Sequence, residues 1–417
     1  MQYFKQYKSG LRLVAKATDV YTVSLGIFVG VGSVMEDENT NGFSHFIEHL
    51  LFKGTPTRTA QQISEEMDNI GANLNAFTSK EVTCYYAKSA AEDLEKCMDV
   101  LSDMYLNADI PQEELDRERG VVLEEIKMSE DIPDDVSTDL IAQAVYFDGK
   151  IGQTILGKAD NIRYCDRHSL LNFKKKHYIP GNTVISVCGK FDFDQLDKMV
   201  CKYFDTESEG KVIEYVNPQS GYTNKFLHKI KEIEQAHLQI SWPACGIDSS
   251  EIHTLAILSN ILGGSMSSRL YQAVRERNGL AYSVYSYPSV YKGFGTLDVY
   301  MGLSPENVQK ACDLVAIEIA DILKNGVTET ELKRAKVQAV NSLIMGVEST
   351  LTLMRLMGNN MLKLSKQYDV ARESELYKKV TIEQVNALAR KYLTNTFASS
   401  YVGPNNDQFD AVSKIRF

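Results

Sequence analysis

Three side chains in one five-residue stretch carry the clearest chemical signal of the chain: His45-Phe46-Ile47-Glu48-His49. In a helix, His45 and His49 lie one turn apart on the same face. Two imidazoles so placed chelate one zinc ion. Glu48, three residues after His45, lies beside them, where a carboxylate takes the proton of a water acidified by the metal. That is the chemistry of attack on a peptide carbonyl. The order is the reverse of HExxH. A solvated polar helix face is the bland alternative. It fits poorly, because Phe43, Phe46, Leu50, Leu51 and Phe52 make the segment largely apolar, and buried imidazoles and carboxylates need partners.

A catalytic zinc takes a third protein ligand and keeps one position open. Pro111 reads as the first residue of a helix running through Met128. Glu118 and Glu125 are two turns apart on it and share a face with Val122, whereas Glu113 and Glu124 point elsewhere. Either of the two shared-face acids is a candidate ligand.

The elements that must position these residues occur twice. Ile70-Gly71-Ala72-Asn73-Leu74 parallels Asn278-Gly279-Leu280-Ala281-Tyr282, and Glu92 to Asp99 parallels Glu306 to Asp313. Ile110 to Leu115 parallels Val327 to Leu332, and Lys176 to Gly189 parallels Arg390 to Gly403, all in the same order and at offsets of about 208 to 217 residues. Two domains are expected, 1–212 and 213–417, joined near Thr206–Lys211 or in the polar stretch Asn217–Asn224. Alternation at Thr22–Val29 and Leu297–Met301 suits half-buried strands. The implied class is α+β: two homologous sandwiches, each a mixed, mostly antiparallel sheet with helices on one face. Asn39-Thr40-Asn41-Gly42 offers caps for the motif helix, and Gly54 a stop. Carried through the repeat, His45, Glu48 and His49 become Thr254, Ile257 and Leu258, and Glu118 and Glu125 become Ala335 and Ser342. The second copy lacks every metal candidate at once, as expected of one working and one degenerate site.

Bulk properties narrow the partners. With 45 basic and 55 acidic residues the formal charge is −10, which disfavours nucleic acid. The longest apolar-leaning run, Val23–Met35, is interrupted by Gly26, Gly30 and Gly32 and is too short to span a bilayer. No membrane association and no leader segment are expected. Seven cysteines without CxxC or CxC spacing argue against disulfides and thiolate zinc sites, so the expected compartment is the cytoplasm. The five other histidines, 168, 177, 228, 237 and 253, have no liganding neighbours in sequence and are read as surface or ordinary polar contacts.

The motifs together resemble the pitrilysin/insulinase family of zinc peptidases, most closely its short bacterial members related to mitochondrial processing peptidase. In that family HxxEH is followed by a ligand Glu about 76 residues on, and counting from His49 gives Glu125. The stretch Glu118 to Ile126 is similar to the family's ligand helix, with Glu118 at a supporting acidic position. Gly263 to Leu270, leading into Arg275 to Tyr282, resembles the family's Arg/Tyr element. The resemblance implies one zinc ion per chain on His45, His49 and Glu125, with Glu48 as general base. It implies that Arg275 and Tyr282 reach the substrate backbone and the oxyanion. It implies an extended peptide substrate added as a strand beside Asn75, Ala76 and Phe77, and a homodimer. Relatives that serve as silent structural subunits, or as binding partners in a heteromeric processing peptidase, supply the alternative reading. Such subunits typically lack a ligand residue, and none is missing here.

Overall fold

The computed structural model describes residues 2–147, 149–215, 221–404, 412 and 415–417. Part of the expected Asn217–Asn224 join lies outside them. Two compact units emerge: Met1–Lys127 with Thr154–Pro218 and Met345–Asp369, and Met128–Gln153 with Gln219–Ile344 and Val370–Phe417.

The first unit is built on six strands: β1 (Gln2–Gln6), β2 (Arg12–Ala17), β3 (Thr22–Val29), β4 (Asn73–Thr78), β5 (Thr83–Ala90) and β6 (Thr183–Gly189). Their spatial order is β1-β2-β6-β3-β5-β4. β2 and β6 are parallel and every other pair is antiparallel. Alternation along β3 assigns its faces. Val23, Leu25, Ile27 and Val29 enter a core shared with Phe46, Leu50, Leu101 and Val122 from the helices. Ser24, Gly26 and Phe28 face the helix Thr350–Leu364 instead. Ser24 and Thr350 hydroxyls meet at 2.9 Å, and Ser186 Oγ donates to the Met354 carbonyl at 2.8 Å. That helix lies against the strands: a Cβ on Gly358 would stand 2.3 Å from the Phe28 ring.

The second unit has five strands: β7 (Phe226–Ile230), β8 (Ala236–Ala244), β9 (Ala281–Val290), β10 (Gly295–Leu303) and β11 (Ala398–Gly403). Their order is β7-β11-β8-β10-β9, with β7 and β11 parallel and the rest antiparallel. Leu238, Ile240, Trp242, Leu297, Val299 and Met301 form the apolar face. The opposite face is polar and meets the helix Pro133–Val145: Gln239 Nε2 donates to Ser137 Oγ at 3.0 Å, and Ser400 Oγ to the Ser137 carbonyl at 3.2 Å.

Setting β1 aside, the two strand orders correspond one to one. The repeat survives in backbone detail: Gly71 and Gly279, each just before an edge strand, both adopt φ +62. The fold is therefore a duplicated α+β sandwich with mixed, mostly antiparallel sheets. The units differ from the contiguous expectation, 1–212 and 213–417, by an exchange. Each sheet takes a helix from the other half of the chain onto its second face. A helical period fixes which face of a helix is apolar, not which sheet receives it.

Candidate active site

The motif residues lie on the helix Phe43–Leu51, which buries Phe43, Phe46, Ile47, Leu50 and Leu51. Its start differs from the expected Asn39–Gly42 side-chain cap. Gly42 stands at the cap with φ +104 and no capping side chain. A Cβ there would come within 3.0 Å of Leu156 and Gly157 backbone and Ile162. The orphan N–H groups are taken by the fully buried Glu36, whose carboxylate accepts from Gly42 N at 2.8 Å, Ser44 N at 2.7 Å and Asn41 Nδ2 at 3.1 Å. An anion at a helix N-terminus is favoured by the dipole as well. The helix ends at Leu51, and Gly54 follows with φ +129.

The second helix is Gln112–Asp131. Pro111 precedes it rather than occupying its first position, because the Pro111 carbonyl accepts from Leu115 N at 2.9 Å. Glu118, Val122 and Glu125 share the face turned to the motif helix. Val122 and Glu118 are buried, and Glu125 is partly exposed.

These helices bring His45, His49 and Glu125 together, one ligand-type atom from each lying within 4.8 Å of the others. Glu125 Oε2 stands 3.7 Å from His45 Nε2 and 3.4 Å from His49 Nε2. The other nitrogen of His49, Nδ1, is 3.2 Å from Glu118 Oε2. Glu118 in turn holds Lys53 Nζ at 2.8 Å. Glu48, on the same helix, accepts a hydrogen bond from the Thr78 hydroxyl at the end of β4. The motif is thus tied directly to the sheet edge.

Burial, and then the neighbouring His49, push His45 down to about 4, so its ring is neutral at pH 7. Burial pulls on His49 as well, but Glu125 and Glu118 outweigh it and leave His49 raised. The His49 contact holds Glu125 below the usual carboxylate range. Burial raises Glu48 despite the Thr78 bond.

Asn75, Ala76 and Phe77 lie on β4, the outermost strand of the first sheet. Ala76 N–H is held by the Asn75 side-chain oxygen at 2.7 Å. Arg275 and Tyr282 belong to the second unit. Arg275 lies in a π-helical turn, Tyr271–Glu276, and Tyr282 near the start of β9 is 75% exposed. The Arg275 guanidinium carbon sits 5.4 Å from the Tyr282 ring and 5.1 Å from the Tyr271 ring. Two of the remaining histidines make polar contacts, His237 with Tyr300 and His253 with Glu373, whereas His177 packs against the Phe173 ring with its Nε2 buried and unbonded. Sequence reasoning missed Glu36, Lys53 and Thr78. Their only signal is polar character near the motif, which many other residues share.

Fold and cluster together define a duplicated α+β protein with, among the described residues, a single constellation of two histidines and a glutamate, in its first half. The family description "Insulinase (Peptidase family M16)" matches residues 12–159, and "Peptidase M16 inactive domain" matches residues 164–339. A Bacillus subtilis (strain 168) protein called an uncharacterized zinc protease is 40% identical over 402 residues, covering 96% of this chain and 98% of its own. A similarly named Mycobacterium tuberculosis (strain H37Rv) protein is 34% identical over 412 residues, covering 98% and 94%. Among solved structures, a protease from Helicobacter pylori superposes with a TM-score of 0.88 at 20% identity, covering 97% of this chain and 99% of its own. A chain of complex III2 from Candida albicans gives 0.85 at 15% identity, covering 98% and 99%. The chain belongs to the insulinase family, peptidase family M16, and matches short bacterial members over most of their length.

Proposed function

We propose that the chain is a zinc-dependent endopeptidase acting on extended peptides. The observation that carries this reading is the meeting of His45, His49 and Glu125 from two separate helices. Ligand atoms on a tetrahedral zinc with bonds of about 2.0–2.1 Å stand about 3.3 Å apart. The 3.4 and 3.7 Å separations here are close to that. Two imidazoles and one carboxylate suit zinc, and the proposed stoichiometry is one ion per chain. The Glu118 contact to His49 Nδ1 is the orienting bond such a ligand needs.

Zinc, when bound, supplies Lewis acidity that polarises a carbonyl and lowers the pKa of a water beside it. Glu48 takes the proton from the attacking water and delivers it to the leaving amine. Thr78 fixes the Glu48 carboxylate and keeps it next to β4. The exposed Tyr282, with Arg275 against its ring, is the proposed donor to the oxyanion. A peptide pairing along Asn75, Ala76 and Phe77 is recognised through its backbone, which requires an unfolded substrate. The proposed assembly is a homodimer. No helix among the described residues is long and apolar enough to cross a membrane. Seven free thiols suit a reducing compartment, and the cytoplasm is the proposed location.

The test is cleavage of a quenched-peptide library together with zinc content. The wild type is expected to cleave, and Glu48→Gln to retain zinc while losing roughly 10²–10⁴-fold in kcat. Zinc binding with no cleavage dependent on Glu48 would instead make the chain a silent subunit.

A further inference from the structure

The second face of the edge strand carries a charge that the reaction does not use. Along β4, Leu74 and Ala76 pack toward the motif-helix core, and Thr78 reaches Glu48 on that side. Asn73, Asn75 and Phe77 therefore point to the opposite face. There the Phe77 ring lies 6.5 Å from Phe28 and 6.4 Å from Tyr86. Over this aromatic floor lies Arg355, from the exchanged helix Thr350–Leu364. Its guanidinium carbon is 5.1 Å from the Phe77 centroid and 4.6 Å from that of Tyr86. Its Nε is buried without a hydrogen-bond partner, and the side chain makes no hydrogen bond or ion pair with any described residue. By contrast, Lys363 on the same helix pairs with the buried Glu81.

In a chain with ten more acidic than basic residues, a half-buried guanidinium with no counter-charge is out of balance. A planar guanidinium is shaped to take a carboxylate on two parallel N–H groups. Stacking on the rings fixes its plane before any ligand arrives. A strand added beside β4 would lie about 4.8 Å away, with its side chains alternating between the Glu48 side and the Arg355 side.

We propose that Arg355, with Phe77 and Tyr86 beneath it, forms a subsite selecting an Asp or Glu side chain of an extended peptide paired with β4. The inference rests on the peptidase reading for its occupant and assigns that occupant a charge. It also assigns a register. Selection falls on one peptide position in a fixed register, or on alternate positions where the peptide slips by two residues, whereas a diffuse positive field would favour acid at all positions.

The test uses fluorescein-labelled twelve-residue peptides of Ser, Thr and Val, each carrying one Glu, Gln or Lys at successive positions. Their affinities are read by anisotropy on the zinc-loaded full chain bearing Glu48→Gln to stop turnover. Glu is expected to bind about ten-fold or more tighter than Lys at one position or at alternate positions. Adding Arg355→Gln should flatten the ratio, and Arg355→Glu should invert it. Thermal unfolding checks that each variant is folded, and if Arg355→Glu is not, the flattening by Arg355→Gln decides. Cleavage by the wild type is scored separately. Charge preference without any cleavage supports the subsite and removes the peptidase reading. Cleavage with a Glu/Lys ratio that Arg355 variants leave unchanged, or that is equal at all positions, overturns the subsite, as does failure to bind any of these peptides.

Discussion

The helices Phe43–Leu51 and Ile252–Gly263 follow equivalent strands, β3 and β8, in sheets of matching order, yet their interiors differ in kind. The first carries His45, Glu48 and His49, answered by Glu118 and Glu125 from the helix Gln112–Asp131. The second carries Thr254, Ile257 and Leu258, all buried, and Ala335 is buried in the same core. The polar groups come as a set or not at all. Each buried imidazole or carboxylate is tolerable only while its partners stand opposite it, because an unpaired buried charge costs several kcal/mol. The other faces of the two sheets differ in another way. On the first, buried Ser24 and Ser186 bond the helix Thr350–Leu364, whereas on the second a carboxylate, Asp298, lies buried, accepting from Ser289 at 2.7 Å, Thr296 at 2.8 Å and Ser241 at 2.5 Å.

The strongest challenge to this comparison is to give the second copy one member of the set. Ile257→Glu places a carboxylate in a core with nothing to meet it, and should destabilise the second unit by about 3–5 kcal/mol in urea unfolding. A variant as stable as wild type would show that the set rule is wrong.

Next in size is the effect of Asp298, whose burial raises its pKa from 3.8 to about 6. Between those values the folded state keeps a proton that the unfolded state releases. Stability from this group is therefore fully present below pH 3.8, falls as pH rises through 6 and is constant above, a loss of about 3 kcal/mol. Asp298→Asn should remove that slope, so that its melting temperature gains on the wild type from pH 4 to 6.5 and no further. Parallel melting curves across that range would contradict it.

The smallest effect sharpens the first unit. Glu118→Ala leaves all three proposed ligands but frees His49 Nδ1, and should weaken zinc binding about 10–100-fold in chelator competition. Unchanged affinity would reduce Glu118 to a partner of Lys53 alone.

The spacing of His45, Glu48 and His49 made their helix legible, because a turn of α-helix converts i and i+4 into neighbours. The count to Glu125 came with the family pattern, while helix geometry alone left Glu118 and Glu125 equivalent. The structure separates them: Glu125 faces the Nε2 atoms of both histidines, and Glu118 faces Nδ1 of His49 and Lys53. Glu36 was not legible, since a carboxylate reaching the N–H groups of a helix that starts seven residues later leaves no periodic trace. Nor was the exchange of the helices Pro133–Val145 and Thr350–Leu364. Each is amphipathic, but its destination depends on the shape of the sheet it meets, such as the Gly358 contact with Phe28.

The central claim is that one ion is held by three side chains from two helices. Anomalous diffraction at the zinc edge, on crystals of the full chain grown with zinc, tests it most directly. The account predicts one peak per chain, bonded to His45 Nε2, His49 Nε2 and a Glu125 oxygen at about 2.0–2.2 Å. A peak elsewhere, or none with these three side chains well ordered, would contradict it.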